Sequence, residues 1–549
     1  MWKEAILSAP SKPLQLHFED LGSLGVITPK EFFHYGNNSI RKIQKESKMK
    51  IHTIQSIVLG TMVLMASATG AAQEIDDNPF MDREYWASHP SIDDIDVKIA
   101  EGHSITEANR GGFDPTTFAI FSGNPVATIH HLIENGNDVN KRTHDSRTYI
   151  FWAASRGDLK IMKYLVKKGA RTDLKDSHGY SLTQFTAAGG QTDPEIYDFL
   201  IENGADLKNE KDHDGRNVLL VAAPRAKNLD LIDYFVRKGL SLHSTDDHGN
   251  GIFNIAAQGG NIDVLKALVS RGVSTEKNTK TNENAILFAS RGGRGTGNGI
   301  EVFKYLEGLG LDANITSREG TTPLHNLSRS SDNLAIYAHF IDKGVDPNAA
   351  DNQGNTPLLN AAVRNNLKVI EYLAEKTDNI NHTNQEGHSA LTLAIQNNSA
   401  QVVNHLISKG AKTNVLDNEG YNLAYYLFAT RGNPRDFDEK VEAMRKTGFD
   451  FNERQADKST IWHLAIAKNN LGLLKKVEGF GADINAKDGQ GNTVLHYAAM
   501  KSSNTEILKY LIAKGADLTA TTDFGETAYD LAQENELLAS NNASLDFLN

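Results

Sequence analysis

Four histidines stand at nearly equal steps along the chain: His144, His178, His213 and His248, separated by 34, 35 and 35 residues. Each has aspartate beside it: Asp145, Asp176, Asp212 with Asp214, and Asp246 with Asp247. Imidazole and carboxylate are zinc ligands and general acid–base groups, so this pattern most invites a chemical reading. The step size argues against a shared metal. Units of a stack lie about 8–10 Å apart, too far for neighbours to share an ion with bonds of about 2 Å. Two readings remain. One is a pH-sensitive ladder of turn residues whose charge changes between about pH 5 and 8. The other is a set of polar turn positions repeated by shared ancestry.

The other chemistry-bearing patterns are weaker. The glycine-rich run 292–299 has no Lys-Ser/Thr ending, as a phosphate loop would need, and no strand need precede it. It is expected to be a flexible loop. The turns Asp212-His213-Asp214-Gly215 and Asp488-Gly489-Gln490-Gly491-Asn492 echo the start of a calcium loop but lack its closing glutamate. They are expected to be structural turns. No His-Glu-x-x-His helix and no Gly-x-Ser-x-Gly elbow occurs. The chain has no Cys, which removes thiolate metal sites, Cys nucleophiles and disulfides. No catalytic residue, cofactor site or metal site is expected, and the chain is read as not an enzyme. An enzyme would need acid and base groups clustered across units.

The elements that position these residues follow from a period of about 34 residues. An apolar pair, a Lys or Glu, then Gly and a small residue recur, as in Leu200-Ile201-Glu202-Asn203-Gly204-Ala205-Asp206 and Leu511-Ile512-Ala513-Lys514-Gly515-Ala516-Asp517. The Gly anchors are 102, 136, 169, 204, 239, 272, 310, 344, 410, 448, 481 and 515, with Thr377 standing in once. Each unit reads as a turn with Asp/Asn and Gly, a short helix with a small pair such as Ala361-Ala362, a second turn, and an amphipathic helix such as 367–373. Gly past its last turn ends that helix. The two longest steps place their extra residues in the turn between the helices, around 291–299 and 431–436. Insertions kept to one face often mark a functional face, although this turn could simply tolerate length.

These residues carry a family likeness. Thr322-Pro323-Leu324-His325, Thr356-Pro357-Leu358-Leu359 and Thr493-Val494-Leu495-His496-Tyr497-Ala498-Ala499 resemble the ankyrin repeat. The resemblance implies an all-α solenoid of stacked helix-turn-helix units with short β-turn fingers, about twelve repeats plus end caps over 91–549. It also implies a protein–protein interaction role through a concave face of fingers and inner helices. The histidines His325, His463 and His496 of that phrase are expected to hydrogen-bond turn backbone. Partner contacts are expected at variable positions: Arg147, Tyr180, Arg216, Asn250, His388 and Tyr421 in the turns, and Arg156, Arg329, Arg364, Asn397 and Lys501 on the inner helices. Arg and aromatics are the usual interface anchors.

Residues 49–72 read as a secretory signal peptide. Lys48 and Lys50 lead a ten-residue apolar core at 57–66, followed by small residues, with cleavage expected near Ala72. Met49 is then the initiator, and 1–48 an extension that is disordered or untranslated. Alternatively 57–72 is an uncleaved signal-anchor that tethers the protein to the inner membrane, or a buried apolar segment. Residues 73–90 read as linker. The expected location is periplasmic or secreted. The 549 residues, at about 150 per compact domain, would suggest three or four domains; the repeat replaces that with one stack. Its 57 basic and 69 acidic residues give net charge -12, which argues against nucleic-acid binding. An unidentified protein is the expected partner, with no small-molecule substrate.

Overall fold

A computed structural model describes residues 78–292, 297–430, 435–541 and 543–549. The signal-peptide segment and the centres of the two longest insertions lie outside the described residues. The described residues belong to one compact unit. Among the described residues there is no strand, only isolated bridges within turns, such as Lys175 with Ser181 and Thr383 with Ser389. Helix pairs follow one another from Pro115–Phe121 with Val126–Glu134 to Val494–Lys501 with Glu506–Ala513. Ala528–Gln533 and Glu536–Ser540 close the stack.

The helices start and stop where local chemistry dictates. Most first helices begin at an extended Ser, Thr or Asn, with Asp114 and Gly251 in that place in two of them; Ser181 and Thr356 accept from the third backbone N–H of theirs. All twelve Gly anchors adopt positive φ, from 73° at Gly272 to 114° at Gly136, a region costly for any residue with a Cβ. Thr377 ends its helix without that device, turning to extended backbone at φ −86° and ψ 135°. Small residues allow close approach of first helices: a Cβ on Gly259 would lie 1.9 Å from the Pro224 carbonyl oxygen of the preceding unit. The apolar stripe of each second helix is buried, as with Val369, Ile370 and Leu373.

Residues 73–90 differ from the linker expectation in their described part. Pro79–Met81 and Arg83–Ala87 are helical, and Phe80 and Trp86 are fully buried and stacked at 5.8 Å. Trp86 Nε1 donates to the Phe80 carbonyl at 2.8 Å, and Asn124 Nδ2 reaches back to the Trp86 carbonyl at 2.9 Å. This segment is the inner half of a first unit whose outer half is Ile92–Ala100. Two buried aromatics replace the small pair that marks other first helices. At the other end, Asn535 caps a last helix, Glu536–Ser540, with Leu538 buried.

His325, His463 and His496 act as expected. Each Nδ1 accepts the N–H of its own cap residue, at 3.2, 3.1 and 2.9 Å for Thr322, Thr460 and Thr493. Each Nε2 donates to a carbonyl further along, Asn355 at 2.9 Å, Asn492 at 3.0 Å and Ala520 at 3.0 Å. One neutral tautomer therefore ties a helix start to the next turn. Burial pushes all three below the ordinary histidine pKa, outweighing the carbonyl bonds that favour charge.

One core position breaks the pattern. Lys440, four residues past its cap Asp436, stands where Ile370 and Val403 stand in the two preceding units, and is 1% exposed. Its Nζ donates to the Ile395 carbonyl of the preceding unit at 2.8 Å. Burial lowers its pKa to about 8, against the opposing pull of Asp436.

Two predictions follow from these buried bases. The three histidines are neutral when folded, so the unfolded chain takes up protons first. Their contribution is complete above about pH 6.5 and falls as pH drops below it. Thermal melts from pH 7.5 to 5 should show this loss, and H325A should cost about 1–3 kcal/mol at pH 7.5; a flat melting temperature would refute the assignment. For Lys440 the unfolded chain holds its proton more tightly between about pH 8 and 10.4, so stability rises with pH across that window. K440M should stabilise by about 1–4 kcal/mol in urea melts at pH 7, and a destabilised variant would show that the ammonium is a net asset.

Candidate protein-binding surface

The face made by turns and first helices carries the expected site residues. In the turns, an Asp or Asn side chain organises the backbone. Asp176 Oδ1 accepts the N–H of His178 and of Tyr180, both at 2.9 Å, and Asp488 Oδ1 accepts those of Gln490 at 2.9 Å and Asn492 at 3.0 Å. These carboxylates are committed to the turn, as the structural reading expected. Successive turns also bond to each other. The N–H of Ser177 donates to the Asp145 carbonyl at 2.9 Å, Asn352 to Glu319 at 2.9 Å and Gln385 to Gln353 at 2.9 Å.

The six turn residues expected to meet a partner all bond within the fold. Arg147 is buried, donating at 2.8 Å to both Asp145 and Asp176, with its guanidinium 4.3 Å from the centre of the Phe185 ring. Arg216 pairs with Asp212 at 2.8 Å and donates to the Tyr180 hydroxyl at 3.2 Å. Asn250 is buried between Asp246 and Asn278. His388 is half-buried and bonds the Tyr426 hydroxyl at 2.7 Å. Tyr421 is buried against Tyr425, ring centres 4.3 Å apart.

Arg156, Arg364 and Asn397 at the ends of first helices are exposed, as is Arg329, which the structure places two residues past the end of its helix. Arg156 donates to the Phe121 carbonyl of the preceding unit, and Asn397 to Gln396 Oε1 at 3.0 Å. Lys501 is half-buried over the Tyr497 ring, its ammonium 5.2 Å from the ring centre, and burial lowers its pKa to about 8.

Three of the four ladder histidines lean back on the preceding unit. His144 Nδ1 lies 2.7 Å from the Gly111 carbonyl oxygen, its ring stacked 4.5 Å from Phe113. His178 Nε2 lies 3.3 Å from Asp145 Oδ2. His213 packs over Gly179, where a Cβ would lie 2.3 Å from its ring. His248 is exposed, and its carbonyl accepts from Asn278 at 2.9 Å. Among the described residues, no three His, Asp or Glu side chains gather as a metal site requires. The described ends of the 292–299 run are pinned. Asn298 Nδ2 donates to Ala289 at 2.9 Å, and the Gly292 carbonyl accepts from Gln258 at 3.0 Å.

An aromatic group escaped sequence reasoning. Phe113, Phe121 and Phe185 are half-buried beside buried Trp152, with Phe121 and Phe185 ring centres 5.1 and 5.5 Å from it. Trp152 and Phe185 occupy the fourth position past their caps, Thr148 and Ser181. That shared position is the signal that could have found them.

Comparison with known proteins agrees with this architecture. A family described as ankyrin repeats (3 copies) matches residues 116–211, 184–281, 289–384 and 331–417, and one described as ankyrin repeats (many copies) matches 477–532. A Rickettsia bellii ankyrin repeat protein is 49% identical over 74 residues, 12% of this chain and 44% of that protein. Human protein phosphatase 1 regulatory subunit 27 is 41% identical over 69 residues, 13% of this chain and 44% of the relative. A Saccharomyces uvarum palmitoyltransferase is 30% identical over 84 residues, 14% of this chain and 12% of that enzyme. The chain thus spans less than half the length of each of these relatives. With the repeat, the helix pairs and the matches in register, the chain belongs to the ankyrin-repeat family.

Proposed function

We propose that this chain is a non-enzymatic, exported scaffold that holds a protein partner on the face built by its turns and first helices. Ankyrin repeats indicate a protein–protein interaction scaffold. The carrying observation is the contrast between the two faces. Second helices pair their charges from unit to unit, as in Lys238 with Asp198 at 2.6 Å and Lys343 with Glu307 at 2.8 Å. The opposite face presents half-buried aromatics and exposed arginines, the residue types of interface anchors. One relative is by its name a regulatory subunit of a phosphatase. The palmitoyltransferase match covers too little of that enzyme to carry its chemistry here.

Export rests on the charged lead, apolar core and small-residue exit of residues 49–72. No helix among the described residues is long and apolar enough to cross a membrane. Mass spectrometry of the protein recovered from fractionated cells should find an N-terminus near Gln73 in the periplasm or medium. An uncleaved chain in the membrane pellet would assign the tether instead, and a full-length cytosolic chain would refute export. For the histidine ladder, replacing His144, His178, His213 and His248 together by Asn should leave the helical circular-dichroism signal unchanged. It should also remove any change in partner affinity between pH 5.5 and 8; affinity that is flat in the unaltered protein would refute a pH switch.

A further inference from the structure

Seven units carry a basic residue seven or eight positions past the cap of the first helix; it ends the helix in five of them and follows the helix by two residues at Arg329 and Lys468. These residues are Arg156, Arg225, Arg291, Arg329 and Arg364, and in the last repeats Lys468 and Lys501. No first helix from Pro115–Phe121 to Val494–Lys501 has Asp or Glu there, in a chain with 69 acidic residues. Four of the seven are engaged. Arg156 and Lys468 donate to carbonyls of the preceding unit, Arg291 pairs with Glu283, and Lys501 lies over Tyr497. Arg225, Arg329 and Arg364 are exposed and make no side-chain hydrogen bond or ion pair among the described residues. Nearby, Asp230 is bonded by Asn228 at 2.7 Å, and Asp332 is exposed. Beside Arg225 an open recess is lined by Gln191, Thr192, Lys227 and Asn228. In the sequence, both long insertions fall in the turn that follows these residues.

The geometry points to this edge as the docking line for an extended acidic polypeptide segment with a carboxylate at every third residue. The proposal rests on the scaffold reading and names its partner class. Neighbouring units repeat at about 8–10 Å. An extended chain advances about 3.3 Å per residue, so every third side chain recurs at about 10 Å. Arg329 and Arg364 belong to adjacent units and Arg225 lies three units before Arg329, so one strand of about fifteen residues meets all three. Guanidinium groups match carboxylates in a two-pronged geometry. In a chain of net charge -12 a line of exposed arginines without acidic partners favours an acidic segment there, so charge helps to fix where the segment lies.

The test uses the full chain and a fluorescein-labelled peptide of five Glu-Ser-Gly triplets, read by fluorescence anisotropy. The peptide should bind, and raising NaCl from about 50 to about 300 mM should weaken it. The triple variant R225Q/R329Q/R364Q should bind about tenfold more weakly with an unchanged thermal melt. The variant K160Q/K163Q/K167Q, which removes three exposed charges from a second helix, should bind within about twofold of the parent. No binding, equal loss in both variants, or equal binding of a peptide with its five Glu in one block would overturn the proposal. So would displacement of the peptide from the three arginines by poly-U RNA or phosphatidylserine vesicles at lower concentration than an unlabelled copy. The scaffold reading fails on a different result, the absence of any protein cross-linked to the full chain in its own cells. A protein cross-linked equally to parent and triple variant leaves that reading intact and sinks this one.

Discussion

No unit of this protein is complete by itself, and the rest of the structure depends on that. A pair of short helices cannot bury its apolar stripes alone, and a turn on its own leaves backbone N–H and carbonyl groups unpaired. Each deficit is met by the next unit. The Ser177 N–H finds the Asp145 carbonyl, and His463 Nε2 finds that of Asn492. Asn365, Asn398 and Asn535 carry amides back to carbonyls 33–37 residues earlier. Stability is thus built along the stack from neighbour to neighbour, and the sequence can vary wherever this exchange is untouched.

This explains which parts were legible in the sequence. The Gly anchors stand out because a left-handed residue is needed at the same place in each unit, and few residues accept that backbone. The Thr-Pro-Leu-His histidines stand out because their two ring nitrogens have fixed tasks. The first half-unit was hidden. Its five-residue helix fills its core with Trp86, helped by Phe80, so it shows neither a small pair nor a 3.6-residue period. The turn residues show a different limit. Arg147, Asn250 and Tyr421 vary between units, which suggests surface, yet all three are buried. A short turn must satisfy its polar groups with whatever side chains it has, so variation there reflects different local solutions to one bonding problem. Arg225, Arg329 and Arg364 carry no such duty among the described residues, and all three are exposed.

Charge is sorted by face. On the second helices, acidic and basic side chains meet across units: His339 and Lys343 share Glu307, and Lys514 reaches Glu478 at 2.5 Å. Each such exposed pair contributes little energy, about 0.2–1 kcal/mol. Their larger effect is to neutralise that side locally. The excess of acid is then felt mainly elsewhere, and the helix-end arginines become the places where an incoming anion gains most.

Lys440 has a consequence for how the stack comes apart. In a nearest-neighbour array, cooperativity extends only as far as coupling between units exceeds the tendency of each to melt. An ammonium in the slot that aliphatic side chains fill in the two preceding units weakens that coupling at one joint. The array then behaves as two cooperative blocks, one ending near Ser408 and one beginning near Leu423, and heat should separate them into two calorimetric transitions that merge into one when Lys440 is made aliphatic.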